Sequence, residues 1–215
     1  MKKIFILVAI ASFFLTIKVL PALPVYKNYN NTDIFTIKFK SGYYNGRSKV
    51  TDYSFTSNEK GLDFSLEFNP LYNVKILHNI YVELNTGLSV GGNLKNNNLL
   101  FMLNYNLPLN ISLPDWFPFV SVFVGGGYGM RQTKITGSSN FVAAKLNNSS
   151  NIVALNFGLE VIPKQLKDYN LGIYLSVKSL VSNYSTLDYG EKKNRRYVNN
   201  FVTIGLMYKI NYLIK

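Results

Sequence analysis

Past residue 32 the chain alternates apolar and polar side chains with a period of two, and helical spacing is nowhere sustained over the roughly 11 residues that would mark a helix. In the first segment Phe35, Ile37, Phe39 and Tyr43 share one face while Thr36, Lys38, Lys40 and Gly42 share the other. This is strand alternation, because successive side chains of an extended backbone point to opposite sides. Leu62 to Phe68 repeats it against Asp63, Ser65 and Glu67, and Ile80 to Val90 repeats it against Tyr81, Glu83, Asn85, Gly87 and Ser89. Leu99 to Leu107 sets apolar residues against Met102, Asn104 and Asn106; Phe119 to Tyr128 is a glycine-rich fifth segment whose facing the pattern leaves open. Val153 to Val161 opposes Asn156, Gly158 and Glu160, and Leu171 to Val177 opposes Tyr174, Ser176 and Lys178. Val202 to Tyr212 opposes Thr203, Gly205, Met207 and Lys209 and brings the count to eight strands.

The connectors alternate as well. Residues 44–60, 130–150 and 182–198 are long and rich in Asn, Ser, Lys and Tyr, whereas 69–78, 108–117 and 162–170 are shorter and carry Pro70, Pro108, Pro114 and Pro163, which stop strands. The connector 91–98 is short where a long one is due. No internal linker or second domain is visible, and the spacing of the segments fits an antiparallel up-and-down meander closed into a barrel.

Periodicity does not say which face of such a barrel is dry, but volume does. About five large apolar side chains on each of eight strands exceed what an eight-stranded barrel can enclose, so most must face a second apolar medium. Composition agrees: 47% of the residues are hydrophobic, 15% aromatic and only 16% charged. In a lipid bilayer closure is obligatory, since an open sheet edge would leave backbone groups unsatisfied. The opposite face carries Lys38, Lys40, Lys178 and Lys209 against Asp63, Glu67, Glu83 and Glu160, four of each sign, expected as structural ion pairs in the lumen. Strand order pairs Lys38 and Lys40 with Asp63 and Glu67, and Glu160 with Lys178. Tyr43, Tyr44, Tyr105, Trp116, Phe117, Phe119, Tyr128, Tyr169, Tyr208 and Tyr212 near segment ends suit interfacial girdles. A soluble sandwich with a solvated outer face would give similar alternation.

Met1-Lys2-Lys3 followed by the apolar run Ile4 to Leu15 reads as a signal peptide, too short for a bilayer-spanning helix and interrupted by Lys18. Leu20-Pro21-Ala22 places the cut after Ala22, dividing the chain into a signal peptide, 1–22, and a barrel domain, 23–215. The cut removes three lysines and no acid, so the net charge falls from +12 to +9. With no cysteine, disulfides, cysteine zinc sites and lipoprotein attachment are excluded.

The stretch Phe101-Met102-Leu103-Asn104-Tyr105-Asn106-Leu107-Pro108, followed by Phe117-Pro118-Phe119-Val120-Ser121-Val122-Phe123-Val124-Gly125-Gly126-Gly127-Tyr128-Gly129, resembles the fourth and fifth strands of the small outer-membrane β-barrel family related to opacity proteins and bacterial surface antigens. Ile204-Gly205-Leu206-Met207-Tyr208-Lys209-Ile210 resembles that family's closing strand. Two positions depart from the pattern: Asn106 stands where an acid is usual, and the chain ends Tyr212-Leu213-Ile214-Lys215 instead of on an aromatic residue. The resemblance implies a Gram-negative outer-membrane location and assembly by the outer-membrane insertion machinery, which reads the last strand.

Residues that carry chemistry are sparse. His78 is the one histidine, placed in a short connector with no nucleophile or acid at reacting spacing. Gly125-Gly126-Gly127-Tyr128-Gly129 lacks the Lys-Ser/Thr of a phosphate-binding loop and reads as a curved strand. Scattered carboxylates offer no metal site, so neither catalysis nor a metal or other cofactor is expected. The basic run Lys192, Lys193, Arg195 and Arg196 falls in the last long connector, where lipopolysaccharide phosphates or host surface molecules are the expected contacts and nucleic acid is not. The expected role is that of a surface-exposed structural or adhesin-like antigen working through its long loops. The alternatives are a small porin-like channel, a lipid-modifying enzyme and a soluble lipocalin-like carrier.

Overall fold

A computed structural model describes residues 34–50, 56–74, 77–91, 94–109, 119–135, 148–188 and 191–213. The expected signal peptide, Trp116 and Phe117 lie outside these residues. Eight antiparallel strands, β1 (Ile34–Val50), β2 (Thr56–Phe68), β3 (Ile80–Gly91), β4 (Leu94–Pro108), β5 (Phe119–Ile135), β6 (Asn148–Ile162), β7 (Leu171–Asp188) and β8 (Glu191–Leu213), pair each with the next, and β8 pairs with β1. The barrel is closed and has no free edge.

The hydrogen-bond register fixes its shape. Stepping across directly paired residues from Lys38 leads through Glu67, Glu83, Met102, Gly127, Ala154, Leu180 and Asn199 back to Ser48, ten residues farther along β1. A stagger of this size over eight strands tilts them by roughly 40° to the barrel axis. The terminal end holds Ile34, Leu213 and the short β2–β3, β4–β5 and β6–β7 connectors. There Asn69 ties the β2–β3 turn to β1: its Nδ2 donates to the Ile34 carbonyl at 3.1 Å and its Oδ1 accepts from the Thr36 amide. A single-turn 3-10 helix, Lys164–Leu166, and the left-handed Asn170 (φ 54°) close the β6–β7 connector.

Polarity is inverted relative to a water-soluble barrel. On β4, Leu99, Phe101, Leu103, Tyr105 and Leu107 are 42–56% exposed on the exterior, whereas the intervening Leu100, Met102, Asn104 and Asn106 are at most 5% exposed. The same alternation runs through Leu84, Leu88 and Val90 on β3, Val153, Leu155 and Phe157 on β6, and Val202, Ile204 and Leu206 on β8. A lipocalin-like carrier requires the opposite arrangement. The apolar skin covers about ten residues of each strand, which at roughly 3.3 Å per residue and this tilt stands about 25 Å tall, the height of a bilayer's hydrocarbon band.

Several connectors are strands where the sequence reads as loop. β1 runs to Val50 and β2 starts at Thr56, so most of 44–60 is hairpin; β7 runs to Asp188 and β8 starts at Glu191, so nearly all of 182–198 is hairpin as well. Of 130–150, the two ends belong to β5 and β6. The 91–98 connector contributes Leu94 onward to β4. Once strands leave the hydrocarbon, polar outer residues cost nothing and the backbone ladder continues, so side-chain polarity does not mark the strand end.

Strand β5, open in the sequence pattern, turns Ser121, Phe123 and Arg131 inward and Val124, Tyr128 and Met130 outward. Its glycines make room in the lumen: a Cβ on Gly125 would stand 1.9 Å from Asn104 Oδ1. On β6, a Cβ on Gly158 would stand 2.5 Å from the Phe123 ring. Two of the expected girdle aromatics are corrected. Tyr44 is fully buried inside the barrel, and Phe119 packs inward against Ile162, Tyr174 and Met207. Both stand in the inward register of their strands, which end position alone does not reveal.

Candidate functional site

Among the described residues five cations and five carboxylates point into the lumen: Lys38, Lys40, Arg131, Lys178 and Lys209 against Glu59, Asp63, Glu67, Glu83 and Glu160. Followed along β1 from the terminal end, the interior passes Lys38 and Lys40, then Tyr44, then Ser48; along β2 it passes Glu67, Asp63 and Glu59. These positions define three stacked layers.

In the first layer the ion pairs are shared. Lys38 Nζ donates to both Glu160 oxygens, at 2.9 and 2.7 Å, and lies 3.5 Å from Glu67. Lys40 contacts Glu67 and, at 2.7 Å, Glu160. Lys178 contacts Asp63 at 2.7 Å and Glu83 at 3.7 Å. Asn104 donates to Glu83 and to Glu67, and Asn85 donates to Asp63. Lys38 also stands 4.1 Å from the Tyr81 ring centre and Lys40 4.3 Å from that of Phe123, so desolvated amines gain aromatic faces as well as carboxylates.

Above this layer lies an apolar cluster. Tyr44, Leu100, Met102, Ile152, Ala154, Leu180 and Phe201 form a continuous buried cluster, with the Tyr44 and Phe201 ring centres 4.6 Å apart. The third layer centres on Glu59, which is completely buried. Arg131 Nη2 donates to both of its oxygens at 3.2 Å and to the Tyr197 hydroxyl at 2.8 Å, while the Tyr197 hydroxyl itself donates to Glu59. Ser48, Ser89 and Asn199 complete the shell around the carboxylate. The guanidinium lies 4.2 Å from the Tyr197 ring centre.

All eight lumen residues expected from the sequence face inward, but not all pair as strand order suggests. Glu160 is held by Lys38 and Lys40 from across the barrel, and Lys178 by Asp63 and Glu83, so the expected Glu160–Lys178 pair is not formed. The ten-residue stagger lifts one strand relative to another and brings non-neighbours to the same height. Lys209 has no carboxylate within 4.0 Å among the described residues; its amine lies 5.1 Å from the Phe119 ring centre. It lines a cavity of about 200 Å³ at the terminal end, together with Lys38, Glu160, Tyr81 and His78. Glu59 and Arg131 are the lumen residues the sequence pattern missed. The signal was present, since Glu59 continues the Asp63–Ser65–Glu67 face and Arg131 continues the β5 register, but both fall in stretches too polar to read as strand.

The basic run is also relocated. Lys192, Lys193, Arg195 and Arg196 belong to β8, paired with Leu187, Thr186, Tyr184 and Asn183 of β7, and are not in a loop. Arg196 is exposed.

No family profile matches the sequence, and no curated protein matches it. The architecture does have solved counterparts. Neisserial surface protein A aligns over 82% of this chain and 97% of its own length with a TM-score of 0.53 at 5% identity. Ail, the attachment invasion locus protein of Yersinia pestis, aligns over 80% and 98% at 14% identity with a TM-score of 0.40. The outer membrane protein AlkL aligns over 90% and 97% at 12% identity with a TM-score of 0.45. The chain thus has the fold of the small eight-stranded outer-membrane β-barrels, the fold the β4–β5 hairpin resemblance implies.

Proposed function

We propose that this chain is an integral outer-membrane β-barrel of a Gram-negative bacterium, delivered by its N-terminal signal peptide and inserted by the outer-membrane assembly machinery. Its role is that of a surface-displayed structural or adhesin-like antigen. The terminal end faces the periplasm, and the long hairpins rise from the outer leaflet. The observation that carries this reading is the combination of an apolar skin about one bilayer tall with a lumen filled by ion pairs and a hydrophobic plug. The scaffold is closed, so its contacts with the surroundings fall on the strand extensions beyond the skin and on the segments 51–55, 136–147 and 189–190 that join them in sequence.

A porin-like channel needs a continuous polar path, which the Tyr44–Leu100–Ile152–Phe201 layer interrupts. The test joins two measurements. Cells displaying the protein adhere to host-cell or matrix surfaces, and replacing 136–147 by a two-residue turn together with shortening the β7–β8 hairpin removes adhesion while the barrel remains inserted. In planar bilayers the intact protein gives no steady conductance. Undiminished adhesion by the trimmed protein overturns the contact role, and a steady open current overturns the closed scaffold.

A further inference from the structure

The exterior changes character abruptly where the apolar skin ends at the hairpin end. Moving outward on β1, Tyr43 gives way to Asn45, Arg47 and Lys49; on β2, Leu62 gives way to Lys60; on β4, Leu99 gives way to Asn97 and Lys95. Arg47, Lys49, Lys60 and Lys95 are all exposed. The register makes them one feature. Lys60 pairs directly with Asn45, which sets it diagonal to Arg47, two residues along the same face of β1 from Lys49. Val90 pairs with both Lys60 and Lys95 and links them across β3. Arg47, Lys49, Lys60 and Lys95 thus form an arc over β1, β2 and β4.

Of the acids whose side chains are described, Glu59, Asp63, Glu67, Glu83 and Glu160 point into the lumen, and Asp168 lies in the β6–β7 connector at the opposite end. Arg47, Lys49, Lys60 and Lys95 form no ion pair within 4.0 Å among the described residues. At the same height the far side of the barrel presents Gln132 on β5 and Asn151 on β6, which carry no charge. Among the residues whose side chains are described, the exposed cations at this end therefore lie on one flank, directly on the upper rim of the lipid-facing skin, at the depth of headgroup phosphates. We propose that this arc is a docking surface for a phosphorylated outer-leaflet glycolipid: the acyl chains lie against Leu62, Leu88 and Leu99, and the phosphates lie among Arg47, Lys49, Lys60 and Lys95. Continuity with the apolar skin selects a lipid over a soluble polyanion, because a soluble ligand gains nothing from the rim below the cations. Exposed cations at this depth act by charge attraction to phosphate, with Arg47 able to bind two oxygens at once.

This inference rests on the outer-membrane reading, and the experiment separates the two. Wild-type protein and the variant Arg47→Gln/Lys49→Gln/Lys60→Gln/Lys95→Gln are refolded into phosphatidylcholine vesicles and checked for heat-sensitive gel mobility. They are then extracted in mild detergent and titrated with diphosphorylated lipid A under native mass spectrometry. The expected result is a wild-type occupancy at least tenfold above that of the variant, with no difference when dephosphorylated lipid A is used. Lys167→Gln, an exposed lysine at the opposite end, leaves occupancy at the wild-type level. Equal lipid A occupancy in two correctly inserted proteins overturns the arc alone. A heparin fragment that binds the vesicle-inserted wild type as tightly as lipid A does overturns the lipid assignment. A wild-type chain that fails to insert at all overturns the outer-membrane reading and the arc with it.

Discussion

At the terminal end three lysines and four carboxylates hold one another in common, whereas at the hairpin end a single carboxylate gathers five donors, one of them the guanidinium of Arg131. The two layers contain the same chemistry and differ in redundancy. Glu160 and Glu67 each touch both Lys38 and Lys40, so removing one amine leaves each carboxylate with a partner. Glu59 is the one described carboxylate within 4.0 Å of Arg131, and its loss strands a buried guanidinium. Burying charge is costly in either layer, and a shared network spreads the consequence of any one loss while a single hub concentrates it. The apolar cluster between the layers separates the two sets of charges and blocks water from joining them.

Substitutions can break or sharpen this contrast. Glu59→Ala has the largest expected effect, a loss of about 3–5 kcal/mol in the urea unfolding free energy of the vesicle-inserted barrel, because Arg131 is left uncompensated. Leu100→Ala opens a cavity in the plug and is expected to cost about 2–4 kcal/mol on the same scale. Lys40→Met comes next, at roughly 2 kcal/mol, since Lys38 still faces Glu67 and Glu160; a loss as large as that of Glu59→Ala would refute the redundancy. Tyr197→Phe keeps the ring under Arg131 and removes one donor to Glu59, so about 1 kcal/mol is expected. The smallest effect belongs to Leu155→Ala on the outer skin, below about 1 kcal/mol, because acyl chains fill the space a truncated side chain leaves.

How much of this was legible in the sequence follows from what period two encodes. Alternation carries strand identity and facing, so the strand count, the outward skin and the inward Lys and Glu residues can all be read from it. It does not carry stagger. The meeting of Lys38 with Glu160, from strands far apart in the chain, depends on the ten-residue shift around the barrel, which no single strand displays. Strand β5 was silent on facing because glycines at 125, 126, 127 and 129 have no side chain to show it. The hairpin extensions resemble loops in sequence because alternation fades once neither face is dry. That same fading hid Glu59 and Arg131, which continue the inward faces of β2 and β5 into polar surroundings. The basic run at 192–196 was recognisable as charge, but its place on a paired strand was not.

Apolar side chains form the outer surface against lipid while polar ones fill most of the interior. The chain has no cysteine, so single labels can be introduced without background. Nitroxides at Leu103→Cys and Phe157→Cys, compared with Asn104→Cys and Asn156→Cys in the vesicle-inserted protein, read the two faces residue by residue. The expected result is strong relaxation of the labels at 103 and 157 by membrane-dissolved oxygen with no access for a water-soluble nickel complex, and shielding of those at 104 and 156 from oxygen. Labels at 103 and 157 that collide with the nickel complex, with oxygen instead reaching 104 and 156, would contradict it.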